Sequence, residues 1–453
     1  MLPSLCNRYC MTFEELNLTK PLLNALQDAG YTTPTTIQAK AFSVIMSGKD
    51  VLGIAQTGTG KTVAYLLPSI KHWKYDKEKL PQILVLVPTR ELVVQVEEEA
   101  KRLTKYTNAD VVGVFGGVNM KPQAALLKGG ADIVIATPGR LLDLVLNGAL
   151  TLKNIKRLVI DEFDEMLNLG FRSQLIRVLD LLPAKRQNLL FSATVTRDIE
   201  ELVATFFNFP VKIEAARTGT PVEKINQVGY SVPNFNTKVN LLEYLLKKED
   251  AMTKVLVFTD TKRLADQLYK HIERHFTDKV GVIHSNKSQH QRFEAVNRFQ
   301  AGDFRILIAT DVIARGIDIA EVSHVVNFDT PEVPEDYIHR IGRTGRADKY
   351  GNSIIFIGKK EKPYQTKIEK LMKLKIPMEK LPEDVQVSKE LIEEELPVIK
   401  QKVIVVKAPK VEEKGAAFHE KSAKNSKVNK KIRHSEKMKM KYGKPKTRGQ
   451  KRK

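Results

Sequence analysis

Only two of the 453 residues are cysteine, Cys6 and Cys10, and one is tryptophan. Two neighbouring thiols cannot make a disulfide framework, and with no histidine beside them they fall two ligands short of a zinc site, so they read as incidental. No stretch reaches the about 18 apolar residues of a membrane span and no secretory leader pattern opens the chain, which predicts a cytoplasmic protein. No period of about 20–50 residues repeats, which excludes a solenoid. Trp73 and the scattered methionines read as packing residues.

Acidic residues are the minority: 53 Asp and Glu against 74 Lys and Arg leave a net charge of +21. The surplus is concentrated. Residues 421–453 hold 15 Lys and Arg and one acid, Glu436, while the other 420 residues carry a surplus of only 7. With almost no large apolar side chain, this tail cannot offset its ordering entropy and is expected to be disordered. A basic arm of that kind attracts nucleic acid by counterion release; a solubilising tail is the plainer alternative. Ahead of it, Lys389–Leu396 reads as a short helix and Val403–Val406 as a short extended run.

The richest eight residues are 55–62, Ala-Gln-Thr-Gly-Thr-Gly-Lys-Thr. They lie between an apolar run, residues 51–54, and a helical pattern from Val63. A glycine-rich loop there turns backbone N–H groups and a helix dipole toward one point, which suits phosphate oxygens. Lys61 can reach the β- and γ-phosphates of a nucleotide, and the Thr62 hydroxyl can join a Mg²⁺ shell. Ala55 stands where the usual G-x-x-x-x-G-K-[ST] pattern has its first glycine.

Short apolar runs recur with polar clusters at their C-terminal ends. Residues 83–87 lead to Pro88-Thr89-Arg90, 133–135 to Thr137-Pro138-Gly139-Arg140, 158–160 to Asp161-Glu162-Phe163-Asp164, and 189–191 to Ser192-Ala193-Thr194. After residue 250 a second set follows: runs at 255–258, 280–283, 306–308 and 325–328. Its clusters include Ala309-Thr310-Asp311, Arg315-Gly316-Ile317-Asp318 and residues 339–346. Such runs separated by helix-period stretches predict parallel, fully buried strands with crossover helices, and ligands then bind beyond the strand carboxyl ends. The turn formers Arg217–Pro221 separate the two sets.

The ordered motifs resemble those of the DEAD-box RNA helicases over roughly residues 11–360. Phe13 and the segment Gly30–Gln38 resemble the family's adenine-reading Q motif. The opening Met11-Thr12-Phe13 and the basic tail are most similar to the RhlE-type bacterial branch. The resemblance implies two tandem RecA-like α/β domains with a disordered basic C-terminal tail. Residues 1–10 are then an N-terminal extension, 11–215 the first domain, 216–222 a linker, 223–377 the second domain, and 378–453 a C-terminal extension.

It also implies site residues. ATP would be held by Phe13, Gln38, Ala55, Gln56, Thr57, Gly58, Thr59, Gly60, Lys61, Thr62, Gly316 and Asp318. Mg²⁺ would be held by Thr62 and, through water, Asp161, while Glu162 would activate the attacking water. Arg343 and Arg346 are similar to arginine fingers for the γ-phosphate. Asp164, Ser192, Thr194 and His339 would couple the domains. Thr89, Arg90, Gly117, Thr137, Arg140, Gln289, Arg292 and Thr310 match RNA-backbone contacts, types that hold phosphate and 2′-OH groups without reading bases. The motif that names the family departs here, with Phe163 in place of alanine; a packing variant and an altered ATP–RNA coupling are both open readings.

Three functions compete: an ATP-dependent RNA helicase acting on single strands and short duplexes such as ribosomal RNA or structured mRNA, a non-catalytic RNA chaperone working through the tail, and a DNA helicase. The complete set Lys61, Glu162, Arg343 and Arg346 favours the first, because a passive binder has no use for hydrolytic residues.

Overall fold

Apolar runs too short for helices form two seven-stranded parallel sheets. In this computed structural model the residues described are 11–55, 58–214, 225–311, 319, 322–345, 350–396 and 434–442. The extension 1–10 and the linker 216–222 lie outside them.

The first sheet comprises β1 (Val51–Ile54), β2 (Ile83–Leu86), β3 (Val111–Val114), β4 (Ile133–Ala136), β5 (Arg157–Ile160), β6 (Gln187–Ser192) and β7 (Val211–Glu214). Their order is β3-β4-β2-β5-β6-β1-β7. Alternate residues feed two cores, as strand geometry requires. Val51, Val85 and Val159 face one layer with α2 (Thr36–Met46), α3 (Lys61–His72) and α4 (Arg90–Thr104). Leu52, Leu84 and Ile160 face the other, with α6 (Pro138–Leu146), α7 (Phe163–Asn168) and α8 (Arg172–Leu181). Between α4 and α6 lies α5 (Met120–Lys128), and α9 (Arg197–Phe206) precedes β7.

The second sheet comprises β8 (Ile225–Ser231), β9 (Val255–Thr259), β10 (Val280–Ile283), β11 (Ile306–Thr310), β12 (His324–Asn327), β13 (Gly351–Ile357) and β14 (Met378–Glu379), in the order β10-β11-β9-β12-β13-β8-β14. Its helices are α10 (Phe235–Lys248), α11 (Lys262–Glu273), α12 (Gln289–Ala301), α13 (Pro334–Ile341) and α14 (Lys362–Met372). Each sheet with its two helical layers is RecA-like, as expected.

The boundary expected after residue 377 falls too early. Strand β14 pairs with β8, and the chain from there to Leu396 straps back over α10. Amides of Asn234, Asn236 and Asn240 donate to the carbonyls of Ser388, Glu390 and Gln386, and Val385 is buried in the second core. The expected helix over 389–396 is a single 3₁₀ turn, Glu393–Glu395, and the Glu390 carbonyl that a helix there would use is already taken by Asn236. The run 403–406 lies outside the described residues. Within the tail, His434–Tyr442 forms a helix where disorder was expected; unbranched Lys and Met favour it and Gly443 stands just beyond its end.

Candidate nucleotide and RNA site

Strands β5, β6 and β1 are neighbours, so the clusters that follow them meet at one edge. Ile54 pairs with Ser192, and the Ala55 N–H donates to the Ser192 carbonyl at 3.0 Å. Gly60 opens α3 with φ +86°, and an added Cβ would stand 2.5 Å from the Gln38 amide nitrogen. That amide donates to the Gly60 carbonyl at 3.1 Å, while its oxygen accepts from the Thr35 N–H at 2.9 Å. Gln38 thereby ties the loop to the N-terminus of α2.

A cavity of about 630 Å³ opens above this edge. Gln38, Gly58, Gly60, Lys61, Thr62, Asp161 and Glu162 line it from the first sheet, and Arg343 from the second. Its volume is typical of a small-molecule site. Lys61 is buried, and its Nζ lies 3.8 Å from Asp161 Oδ1 without a hydrogen-bond partner among the described residues. A buried ammonium left so, beside a carboxylate and the Thr62 hydroxyl, fits a phosphate with its divalent cation.

Glu162 adopts the left-handed conformation (φ +49°, ψ +51°) at the start of α7. That geometry costs a non-glycine residue about 1–3 kcal/mol and persists only where the surroundings over-determine it. Here its N–H donates to Asp161 Oδ1 at 2.9 Å and its carbonyl accepts from the Met166 N–H. Desolvation in the cleft pushes its carboxyl up to about 8; Lys61 and Arg343 oppose the rise, and Asp161 and Glu165 add to it. Phe163 is buried beneath the edge in the core, away from the cavity.

Asp164 ties this segment to β6. Its Oδ2 accepts from the N–H groups of Ala193 (3.2 Å) and Thr194 (2.9 Å) and from the Thr194 hydroxyl (2.9 Å), and its own N–H donates to Ser192 Oγ. From the second sheet, His339 Nε2 lies 3.9 Å from the same oxygen. Burial would raise the Asp164 carboxyl, but His339, Lys61 and the two hydroxyls outweigh it and hold it below its ordinary value.

One turn beyond His339, Arg343 is buried at the cavity wall. The intervening Arg340 fixes its helix: both ends of its guanidinium donate to Asp311 at 2.6 Å, and Nη1 donates to the Asp329 carbonyl at 2.7 Å. Arg346, Gly316, Asp318, Gln56 and Thr57 lie outside the described residues. Thr59 follows Gly58 in the loop turn.

The remaining candidates follow the other half of the first sheet. Gly117 comes after β3, Thr137 after β4, and Thr89 and Arg90 after β2. Gly117 has φ +74°, and the Arg90 guanidinium fills the place of its missing Cβ. Across the cleft stand Gln289 and Arg292 on α12 and Thr310 at the end of β11. Two of these cations already have partners. Arg140 donates to Gln123 Oε1 (2.8 Å) and the Val118 carbonyl (2.7 Å), and Arg292 pairs with Glu91 at 2.7 Å. Arg90 remains close to both; burial, then Arg292 and Arg140, lower its pKa.

Phe13 is 4% exposed, packs in the first core with Leu16 and Phe42, and is not among the residues lining the cavity. Tyr31 lines it, with its hydroxyl donating to Glu99 at 2.9 Å. An aromatic seven residues ahead of Gln38, just before a helix start, was the signal available for it. Glu91 was also missed; a carboxylate directly after Arg90 that the fold buries needs a cation.

Comparison with known proteins agrees with this geometry. The DEAD/DEAH box helicase family matches residues 35–202, and the helicase conserved C-terminal domain matches residues 237–348. DEAD-box ATP-dependent RNA helicase 14 of Arabidopsis thaliana is 37% identical over 367 residues, 80% of this chain and 59% of that protein. The chain thus spans less than two thirds of the length of such curated relatives. A DEAD box protein from the hyperthermophile Methanococcus jannaschii is 38% identical, with 82% of this chain and 99% of that one covered and a TM-score of 0.51. Dbp5 of S. cerevisiae, solved bound to RNA and ADP BeF3, is 30% identical over 82% of this chain and 96% of its own, with a TM-score of 0.73. With both domains matched in order and the sheet edges carrying the expected motifs, the chain belongs to the DEAD/DEAH box helicase family.

Proposed function

We propose that the protein is an RNA-stimulated ATPase that locally separates short RNA duplexes. The observation that carries this reading is the convergence of Lys61, Asp161 and Glu162 of the first sheet with Arg343 of the second around one cavity. Tyr31 and Gln38 take the adenine end, and the loop N–H groups with Lys61 take the phosphates. Asp161 and Thr62 would hold a magnesium ion, which would supply positive charge against the charge that develops on the phosphates. Glu162, whose carboxyl desolvation pushes up to about 8, accepts the proton of the attacking water. Arg343, with Arg346, stabilises the transferring phosphoryl group, a contribution of roughly 10³–10⁵ in rate for an arginine finger.

Because Arg343 belongs to the second sheet, hydrolysis requires both sheets at the cleft. RNA lies along Thr89, Arg90, Gly117, Thr137 and Thr310, held by its backbone and therefore with little sequence preference. Asp164, bonded to the Ser192–Thr194 segment and facing His339, links the two ligands. The opening residues and basic tail favour the RhlE-type branch. The test is phosphate release by the full chain with no nucleic acid, with single-stranded RNA, and with DNA of the same sequence. Stimulation by RNA alone is expected, with strand separation confined to short duplexes. Equal stimulation by DNA would favour a DNA helicase, and RNA binding without phosphate release would favour the chaperone.

A further inference from the structure

Tyr65 lies one turn beyond Lys61 and three residues beyond Thr62, on the face of α3 that looks toward β5 and β6. It is fully buried, and within ordinary hydrogen-bond geometry its hydroxyl has no partner among the described residues. Buried hydroxyls are rarely left so. The groups near this one are Thr62 and Asp161, and burial with the Asp161 charge pushes the phenol well above its ordinary range.

The ring cannot swing elsewhere. It packs on Phe191 of β6 at 5.4 Å between centroids, and Phe191 in turn occupies the space beside Gly53 of β1, where an added Cβ would stand 2.6 Å from the ring. A chain of close packing therefore holds the ring in place against β6. Lys61 Nζ, likewise buried and without a hydrogen-bond partner among the described residues, lies 3.8 Å from Asp161 Oδ1.

We propose that Tyr65 is a positioning residue of the cation site: its O–H donates to the Asp161 carboxylate and its oxygen accepts from the Thr62 hydroxyl. The two groups proposed to hold the cation are thereby kept turned toward the phosphate loop. This rests on the nucleotide reading above. Phenylalanine would fill the same space and preserve the contact with Phe191, so the hydroxyl is an addition to the core that packing alone does not need.

The experiment is Tyr65→Phe in the full chain, with binding of a fluorescent ADP analogue titrated against Mg²⁺ and repeated in EDTA. The Mg²⁺ concentration for half-maximal tightening should rise roughly three- to tenfold, the size of one hydrogen bond. Affinity in EDTA and the melting temperature should be unchanged or slightly improved, since a polar group has left the core. An unchanged Mg²⁺ response would overturn the proposal, as would an equal loss of affinity with and without Mg²⁺, which would mark a packing effect. If the unaltered protein shows no Mg²⁺-dependent nucleotide binding, the nucleotide reading itself fails.

Discussion

Arg292 of the second sheet's α12 reaches across to Glu91 of the first sheet's α4, with Nη1 2.7 Å from Oε1 and both side chains less than a tenth exposed. Removing one partner of such a desolvated pair costs about 3–5 kcal/mol, because the other charge stays buried alone.

Arg292→Ala should therefore raise the RNA concentration needed for half-maximal ATPase by roughly tenfold or more, as the sheets part to hydrate Glu91. The double variant Glu91→Gln/Arg292→Gln should be milder than Arg292→Ala alone, because no charge is stranded. Titration of both variants decides the matter; equal losses would leave Arg292 as a direct RNA contact instead.

Glu162→Gln should abolish turnover while nucleotide and RNA still bind, since only proton transfer in the transition state is lost. In the unaltered protein kcat should climb as pH rises toward about 8, where the carboxyl becomes a base. Stability should move the opposite way. A carboxyl raised from 4.5 to about 8 on folding holds its proton in the folded state across that window, so stability falls as pH rises through it. Melting curves from pH 5 to 8 should show Glu162→Gln gaining on the unaltered protein toward the alkaline end. A constant difference would contradict the raised pKa.

Gly117→Ala should weaken RNA binding and leave nucleotide binding intact. Its φ of +74° disfavours any side chain, and the new methyl would displace the Arg90 guanidinium. Filter binding with RNA and fluorescence binding with nucleotide, run on one preparation, separate the two effects. Parallel loss of both would show that the substitution unsettles the whole edge.

Deleting residues 421–453 should leave maximal ATPase nearly unchanged and raise the RNA concentration required, most on long RNAs that arm and core can hold together. If three or four of the 15 cations touch phosphate, the salt slope should drop by roughly 2–3 units. Equal slopes for intact and truncated protein would make the tail a solubility device.

Much of the site was legible because chemistry-bearing residues follow buried strands. Asp161 comes directly after β5 and Ser192 ends β6, so a parallel sheet brings both to one edge whatever lies between. The edge strand β7, Val-Lys-Ile-Glu, has too weak an apolar run to stand out, and neither does β3 with its central glycine. The strap from β14 to Leu396 was invisible for a different reason: side-chain amides of α10 hold its backbone, and no periodicity records that.

The middle of the first sheet sets how far a signal between the two proposed ligands must travel. The Asp161 N–H hangs on the carbonyl of Leu86, the last residue of β2, and the chain beyond it reaches Thr89 three residues on and Arg90 four. Adjacent strands stand only about 4.8 Å apart. One hydrogen-bonded rung and the short segment 87–89 are then all that separate the Asp161 and Arg90 backbones. Communication between phosphate and RNA in this domain is thus a matter of neighbouring wires in one woven cloth, and slack introduced at Val87 or Pro88 would mute it without touching either ligand.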